Sequence, residues 1–452
     1  MQVKSSRARK NRRGIPSAIT VMLLLAAILI SMSITILIES IMERTNARGI
    51  NSKDSALDFQ LNSSRQEHFP CHYMANRRNE YNITPHYDKK GTHSPVSSKY
   101  DISIATMMSP SDAMFSRLLE MINRWSGPIS VSLFINNAAS TKDVELSIRQ
   151  FKEENAIALD LNDSGSRVSF HLVTDLDTNR GVDVNMFPRN LLRNVAVDNA
   201  MTDYVLVLDV DFAPSIGAHE NLKRHLEEIE RERLESSDTK KYALVVPAFE
   251  KFEKGTIFLK NQVETKDEMI DMKKIDPGVV LPFMKREKFK AHSGTDSQKW
   301  YRTKKRYLVH YKEDYEPYVV VHKNKNLPPF WEHFTGFGRN KLQWIEELYI
   351  SGFQFIVVPD TFVLHKSHKQ YGLRKLRPFI ADEYVSRFQN YLEKTYGKTM
   401  RAVEPLKEWQ SSIYSKWEKK VVRKGRTTSY TTMEKMAELS ERREAEFKAC
   451  LN

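Results

Sequence analysis

Two aspartates one residue apart, Asp209 and Asp211, close the apolar part of Tyr204-Val-Leu-Val-Leu-Asp-Val-Asp-Phe-Ala-Pro-Ser, and no other residues of the chain are better placed to do chemistry. Residues 205–208 are wholly apolar, the pattern of a strand buried on both faces. Side chains alternate along a strand, so the two carboxylates point the same way while the extended geometry persists. Pro214 is expected to stop the strand. Paired carboxylates at the carboxyl end of a parallel strand lie where open α/β sheets bind ligands. Hard oxygen ligands of this kind suit Mn²⁺ or Mg²⁺, commonly completed by a diphosphate. An isolated Asp-x-Asp is more often a polar strand-to-turn junction, so the surrounding elements decide.

Those elements alternate. Strands are expected over residues 101–107, 129–135, 168–173 and 242–247, with helices over 111–124, 144–155, 188–200 and 220–235. The first helix has Ser or Asp at its cap. Such alternation predicts an α/β fold with a largely parallel sheet. Order is expected to begin near Tyr100. Residues 39–98 are polar, without a sustained apolar period, and read as a stem. Residues 407–452 are charged, with scattered Trp and Tyr, and read as a helical tail. The intervening 99–406 is taken as the catalytic part.

The amino-terminal region assigns a compartment. Residues 15–38 carry no charge and as a helix would span roughly 36 Å, enough to cross a bilayer. Lys4, Arg7, Arg9, Lys10, Arg12 and Arg13 precede them, with no acid in residues 1–14. The positive-inside rule then puts residues 1–14 in the cytosol and the rest on the far side, as a retained single-pass anchor. A cleaved signal peptide would have a shorter apolar core and an Ala-x-Ala-like exit. The net charge is +13, of which six lie in this flank, leaving +7 on the remainder. That excess suits steering of anionic nucleotide sugars or acidic glycans. It does not imply DNA or RNA binding without a recognisable nucleic-acid module, and none is found. The two cysteines, Cys71 and Cys450, pair with each other, pair with another chain or stay unpaired, and two cannot build a disulfide scaffold. Asn62, Asn82 and Asn162 open N-glycosylation sequons, in keeping with a lumenal domain.

Several spaced segments carry a resemblance. They are Trp125-Ser-Gly-Pro-Ile, Phe187-Pro-Arg-Asn-Leu-Leu-Arg-Asn-Val-Ala, the Leu208-Asp-Val-Asp-Phe-Ala-Pro-Ser segment and Val246-Pro-Ala-Phe-Glu. Tyr315-Glu-Pro-Tyr, Phe334-Thr-Gly-Phe-Gly-Arg-Asn-Lys and Gly352-Phe-Gln-Phe-Ile-Val-Val-Pro-Asp-Thr-Phe-Val-Leu-His follow in the same order. Over about residues 100 to 372 the chain resembles the family 49 glycosyltransferases. These include β-1,4-glucuronyltransferases and the glucuronyltransferase half of bifunctional xylosyl/glucuronyltransferases acting on α-dystroglycan glycans. The resemblance implies a GT-A fold, a type II Golgi membrane protein, a UDP-sugar donor, a glycan or glycoprotein acceptor and a divalent metal, usually Mn²⁺.

The resemblance also implies roles. Asp209 and Asp211 would hold the metal, which would neutralise charge on the leaving UDP. A third ligand is implied just after the last core strand, which is expected over residues 356–364 with a break at Pro359. His365 fits, with His368 in reserve. Arg189, Asn190, Arg193 and Asn194 are three and four apart, so one helix face can carry two guanidiniums and two amides. By composition that is a solvated face, whereas the resemblance gives Arg193 a donor-site role. Arginine forks match diphosphate or glucuronate carboxylate geometry. Glu250 stands at a strand end, able to meet sugar hydroxyls or to cap the next segment.

Inverting galactosyltransferases have acidic residues after a loop like Phe334-Thr-Gly-Phe-Gly, where this chain has Arg339, Asn340 and Lys341. A cation such as Lys341 cannot serve as the base, but it suits a donor bearing a carboxylate. Glu332 is the choice for general base, with Glu316 and Glu347 as rivals. Phe330-Trp-Glu-His-Phe departs from the family's Phe-Asp-Glu-Arg-Phe at Trp331 and His333, which puts acceptor specificity in doubt.

The expected function is therefore inverting, metal-dependent transfer of glucuronic acid from UDP-glucuronate to a glycan. The alternatives are β-N-acetylglucosaminyl transfer on the same fold, or a catalytically inactive glycan-binding homologue. A haloacid-dehalogenase-type phosphatase would need Thr or Val where Ala213 stands. A homodimer or a partner glycosyltransferase is left open.

Overall fold

A computed structural model of the chain describes residues 77–87, 99–135, 141–159, 166–176, 187–251, 263–285, 291–335, 338–365 and 378–397. All of them belong to the unit Phe69–Asn452. Residues 1–14, the expected anchor 15–38, both cysteines, His368 and residues 407–452 lie outside the described residues. Among the described ones, no helix is long and apolar enough to cross a membrane.

The strands are β1 (Tyr81–Thr84), β2 (Ile102–Met108), β3 (Ile129–Ile135), β4 (Val168–Asp175), β5 (Tyr204–Val207), β6 (Phe212–Pro214), β7 (Lys241–Val246), β8 (Ala248–Lys251), β9 (Val280–Pro282), β10 (Tyr307–Val309), β11 (Tyr318–His322), β12 (Phe353–Val357) and β13 (Val363–His365). The helices used below are α1 (Asp112–Arg124), α2 (Thr141–Glu154), α3 (Arg189–Asp198), α4 (Ala218–Ser236), α5 (Lys266–Ile275), α6 (Ser297–Arg302), α7 (Leu342–Ile350) and α8 (Pro378–Tyr396).

Nine strands form one sheet in the order β1-β4-β3-β2-β5-β11-β7-β12-β10. β2, β3, β4 and β5 pair in parallel, as do β7 and β12. β11 runs antiparallel to both of its neighbours, so β5 and β7 share one direction. The mixed α/β class is the one that the strand–helix alternation predicts. β5 alternates as a central strand should. Leu206 faces the core that holds Ile104, Val131 and Phe170. Val205 and Val207 face the opposite core, with Val245, Val319 and Phe355. The chain steps outward from β2 to β4 and then returns to the other side of β2 for β5. That reversal opens a crevice at the carboxyl ends of β2 and β5, just where Asp209 follows.

A second sheet, β6-β13-β8-β9, takes up the chain as it leaves the first. β7 passes into β8 at Pro247, and β12 passes into β13 through residues 358–362. Here the sequence reading needs correction. Pro214 does not stop β5, which ends at Val207, but lies in β6 opposite Val363. Proline is tolerated there because β6 is an edge strand, with no ladder waiting for the missing N–H.

A second correction concerns the stem. Order does not begin near Tyr100, because β1 pairs antiparallel with β4. Tyr81 is buried with Val173, Leu191, Leu192 and Val195. The polar composition of residues 39–98 hid a strand of four residues with an exposed Asn82 and Thr84. Ser111 does stand at the cap of α1, but its side chain makes no capping hydrogen bond.

Candidate active site

The crevice gathers charge from four elements. Asp209 leaves the end of β5 half-buried. Its Oδ1 accepts from Arg193 Nη2 of α3 at 3.1 Å. Its Oδ2 accepts from Lys341 Nζ, at the start of α7, and from the Tyr318 hydroxyl of β11, both at 2.9 Å. Lys341 Nζ also donates to the Tyr318 hydroxyl at 2.9 Å and pairs with Glu316 Oε1 at 3.2 Å. Burial alone would raise the Asp209 carboxyl. Lys341 and then Arg193 outweigh it and hold the group far below the usual carboxylate range. Burial, and then Asp209, Asp211 and Glu316, push the Tyr318 phenol well above its ordinary value. It therefore stays a donor.

Asp211 turns elsewhere. Its Oδ2 lies 3.4 Å from Nε2 of His365, the last residue of β13. The register of the second sheet brings them together, since His365 pairs with Phe212 on one side and with Glu250 on the other. Phe212 packs its ring against Phe283, Tyr318 and His365, and Phe283 packs on His365 as well, with centroids between 4.7 and 5.0 Å apart. Of the three expected metal ligands, the fold thus places Asp211 and His365 face to face and gives Asp209 to the two cations. No cluster of three or more His, Cys, Asp or Glu side chains gathers at metal distance among the described residues.

The polar face of α3 is not solvated. Asn190, Arg193 and Asn194 are buried. Asn190 Nδ2 donates to the carbonyls of Trp331 and Asn340, and Asn194 Nδ2 to that of Phe330. Arg193 Nη1 donates to Asn340 Oδ1 at 2.8 Å. The two asparagines hold the backbone at Phe330, Trp331 and Asn340, and Arg193 reaches past them to the site. Arg189, at the start of the same helix, lays its guanidinium over the Phe187 ring.

Glu332, the expected base, is held inside the fold. It is 3% exposed, and its oxygens accept from Arg77 N at 2.7 Å and Asn194 Nδ2 at 2.9 Å. Burial raises its pKa against the pull of Arg78, Asn194 and Arg77. Held in this way it ties the backbone just ahead of β1 to α3. Glu347 is likewise enclosed, accepting from the Tyr391 and Tyr396 hydroxyls of α8. Glu316 is the rival that the fold brings to Lys341. Trp331 lies in a core cluster with Phe334, Phe388 and Tyr391, so that departure from the family pattern fits packing against α8. Tyr318 and Asn340 were missed in their roles, although both stand in segments that carried the resemblance.

Residues 177–397 match the model of the family described as "Glycosyl-transferase for dystroglycan". The chain belongs to glycosyltransferase family 49. Every residue of the Asp209 and Asp211 groups falls inside the matched range. The chain is 29% identical over 307 residues to "Xylosyl- and glucuronyltransferase LARGE1" of Danio rerio, covering 68% of this chain and 36% of that protein. It is 31% identical over 312 residues to "Xylosyl- and glucuronyltransferase LARGE2s" of the same organism, covering 68% and 37%. With LARGE1 of Homo sapiens the identity is 30% over 340 residues, covering 74% and 39%. The chain thus spans well under half the length of these relatives. A solved structure of GalNAc-T7 with UDP, GalNAc and Mn²⁺ is 10% identical, with a TM-score of 0.38 over 71% of this chain and 55% of that one. That likeness is too slight to bear on the site.

Proposed function

We propose that this family 49 chain transfers glucuronic acid from UDP-glucuronate to a glycan acceptor, with inversion, on a GT-A fold. The observation that carries the reading is the division of labour within the Asp-x-Asp pair. Asp211 and His365 offer one oxygen and one nitrogen to a divalent cation, a donor set suited to Mn²⁺. When bound, such a cation supplies charge neutralisation to the departing diphosphate. Asp209, Arg193 and Lys341 form the neighbouring half, where the sugar end of the donor belongs. Lys341 offers a charge-assisted hydrogen bond to a glucuronate carboxylate.

Glu316 is the base in this reading. Its carboxylate takes the proton of the acceptor hydroxyl as the new bond to the anomeric carbon forms. The bond from that carbon to UDP breaks on the opposite face, which inverts the centre. Lys341, 3.2 Å away, keeps Glu316 oriented. Glu250, beside His365 in the second sheet, is assigned to sugar hydroxyls. Arg189, Asn190 and Asn194 are assigned to holding the donor-site wall.

The setting that fits is a type II Golgi membrane protein. Residues 15–38 would be the anchor and the catalytic part lumenal, supported by the uncharged run and its basic flank. A panel of UDP-sugars with Mn²⁺ tests the donor. Turnover with UDP-glucuronate supports the reading, and a preference for UDP-xylose or UDP-N-acetylglucosamine replaces the assigned sugar.

A further inference from the structure

His292 lies against this site and is 4% exposed. Its ring sits 5.3 Å from that of Phe283 and stacks on Tyr318 at 5.8 Å and 25°. Phe283 packs in turn on His365 at 4.7 Å, and Tyr318 donates to Asp209. The imidazole thus bridges the two halves of the site, the Asp211–His365 pair and the Lys341–Asp209 cluster. Its Nδ1 is buried without a hydrogen-bond partner among the described residues. A sealed polar atom with nothing to bond destabilises a fold. An apolar side chain between two aromatic rings would carry no such cost.

Burial, and then the charge of Lys341, bring the His292 imidazole down to about 3, so it is neutral at physiological pH. A neutral imidazole presents one donor and one acceptor. That combination matches a hydroxyl, which is also both, whereas a carboxylate is better served by Lys341 close by.

We propose that His292 hydrogen-bonds a hydroxyl of the transferred sugar and so takes part in selecting the donor. It rests on the donor-site reading above. The test compares His292→Phe and His292→Asn with the wild-type full-length chain, measuring binding of UDP and of UDP-glucuronate by calorimetry, and thermal melting. The expected result for His292→Phe is an unchanged or raised melting temperature, because an unpaired polar atom has been removed. UDP affinity stays within twofold, while UDP-glucuronate affinity falls at least tenfold. His292→Asn, which keeps a donor and an acceptor, recovers part of that loss. Equal weakening of UDP and UDP-glucuronate, or no weakening of either, would overturn the proposal and leave His292 a packing residue. If His292→Phe does not fold, His292→Asn alone decides through the same affinity ratio. A wild-type chain that binds neither UDP nor any UDP-sugar overturns the donor-site reading itself, and this proposal with it, before any variant is compared.

Discussion

Lys341 Nζ lies 2.9 Å from Asp209 Oδ2, so the first aspartate of the Asp-x-Asp pair is committed to the protein's own cations while the second faces His365. Arg193 completes the neutralisation from the other side at 3.1 Å. The two carboxylates, alike in sequence, therefore differ in what their loss removes.

Replacing Asp209 by Asn leaves the buried Arg193 without its counter-charge and Lys341 with Glu316 alone. Breaking a buried pair in this way costs about 3 kcal/mol or more. Asp211→Asn takes away a carboxylate that faces one histidine rather than two cations, and is expected to cost less, about 1 kcal/mol. Urea unfolding of the two variants checks this. Equal destabilisation by both would contradict the division of roles.

Glu332 and Glu316 separate in the same manner. Glu332→Ala strands the Arg77 N–H and the Asn194 amide, at a cost of about 2–3 kcal/mol, and lowers the melting temperature. Glu316→Gln keeps the shape and melting temperature but lowers kcat by about 10²-fold or more, with KM little altered. A large kcat loss from Glu332→Gln in a fully folded protein would return the base to Glu332.

Gly127 explains part of the Trp125-Ser-Gly-Pro motif. A methyl group added there would stand 2.5 Å from His219 Nε2, inside contact distance. His219 cannot retreat, since it bonds Asp101 at 2.7 Å and the Ser126 hydroxyl at 2.9 Å. Gly127→Ala is expected to destabilise the fold by about 1–3 kcal/mol. A melting temperature matching the wild type would show that α4 can shift away.

Acid sensitivity is expected at Asp360. Burial would raise its carboxyl, but His225 and Arg224 prevail and hold it at about 2. A carboxyl depressed on folding stabilises above its unfolded pKa of about 4 and loses that contribution as pH falls through the folded value. The side chain is 35% exposed, so solvent screening limits the gain to about 1 kcal/mol. Asp360→Asn should therefore melt below the wild type at pH 5, with the gap closed by about pH 2. A gap that persists at the lower pH would contradict the assignment.

Strands flanked by apolar runs were legible in the sequence. Residues 129–135 were bounded to the residue, because Pro128 opens the strand and its period is unbroken. Four-residue β1 was not legible, since its only deeply buried side chain is Tyr81. Nor was the second sheet, whose strands of three and four residues carry no periodicity long enough to read. Residue types gave the Asp pair and Lys341. They did not give the partition between Asp209 and Asp211, which depends on β11 and α7 closing over one carboxylate. The burial of Glu332 was not legible either, because a carboxylate beside aromatics suits a base and a buried clip equally and its partners come from distant segments.

The most direct test of the donor-and-metal account is UDP release by the full-length chain with UDP-glucuronate, a glycan acceptor panel and Mn²⁺, beside Asp211→Asn. The account predicts turnover that chelator abolishes and that the folded Asp211→Asn variant lacks. Turnover unaffected by chelator and retained by Asp211→Asn would contradict it.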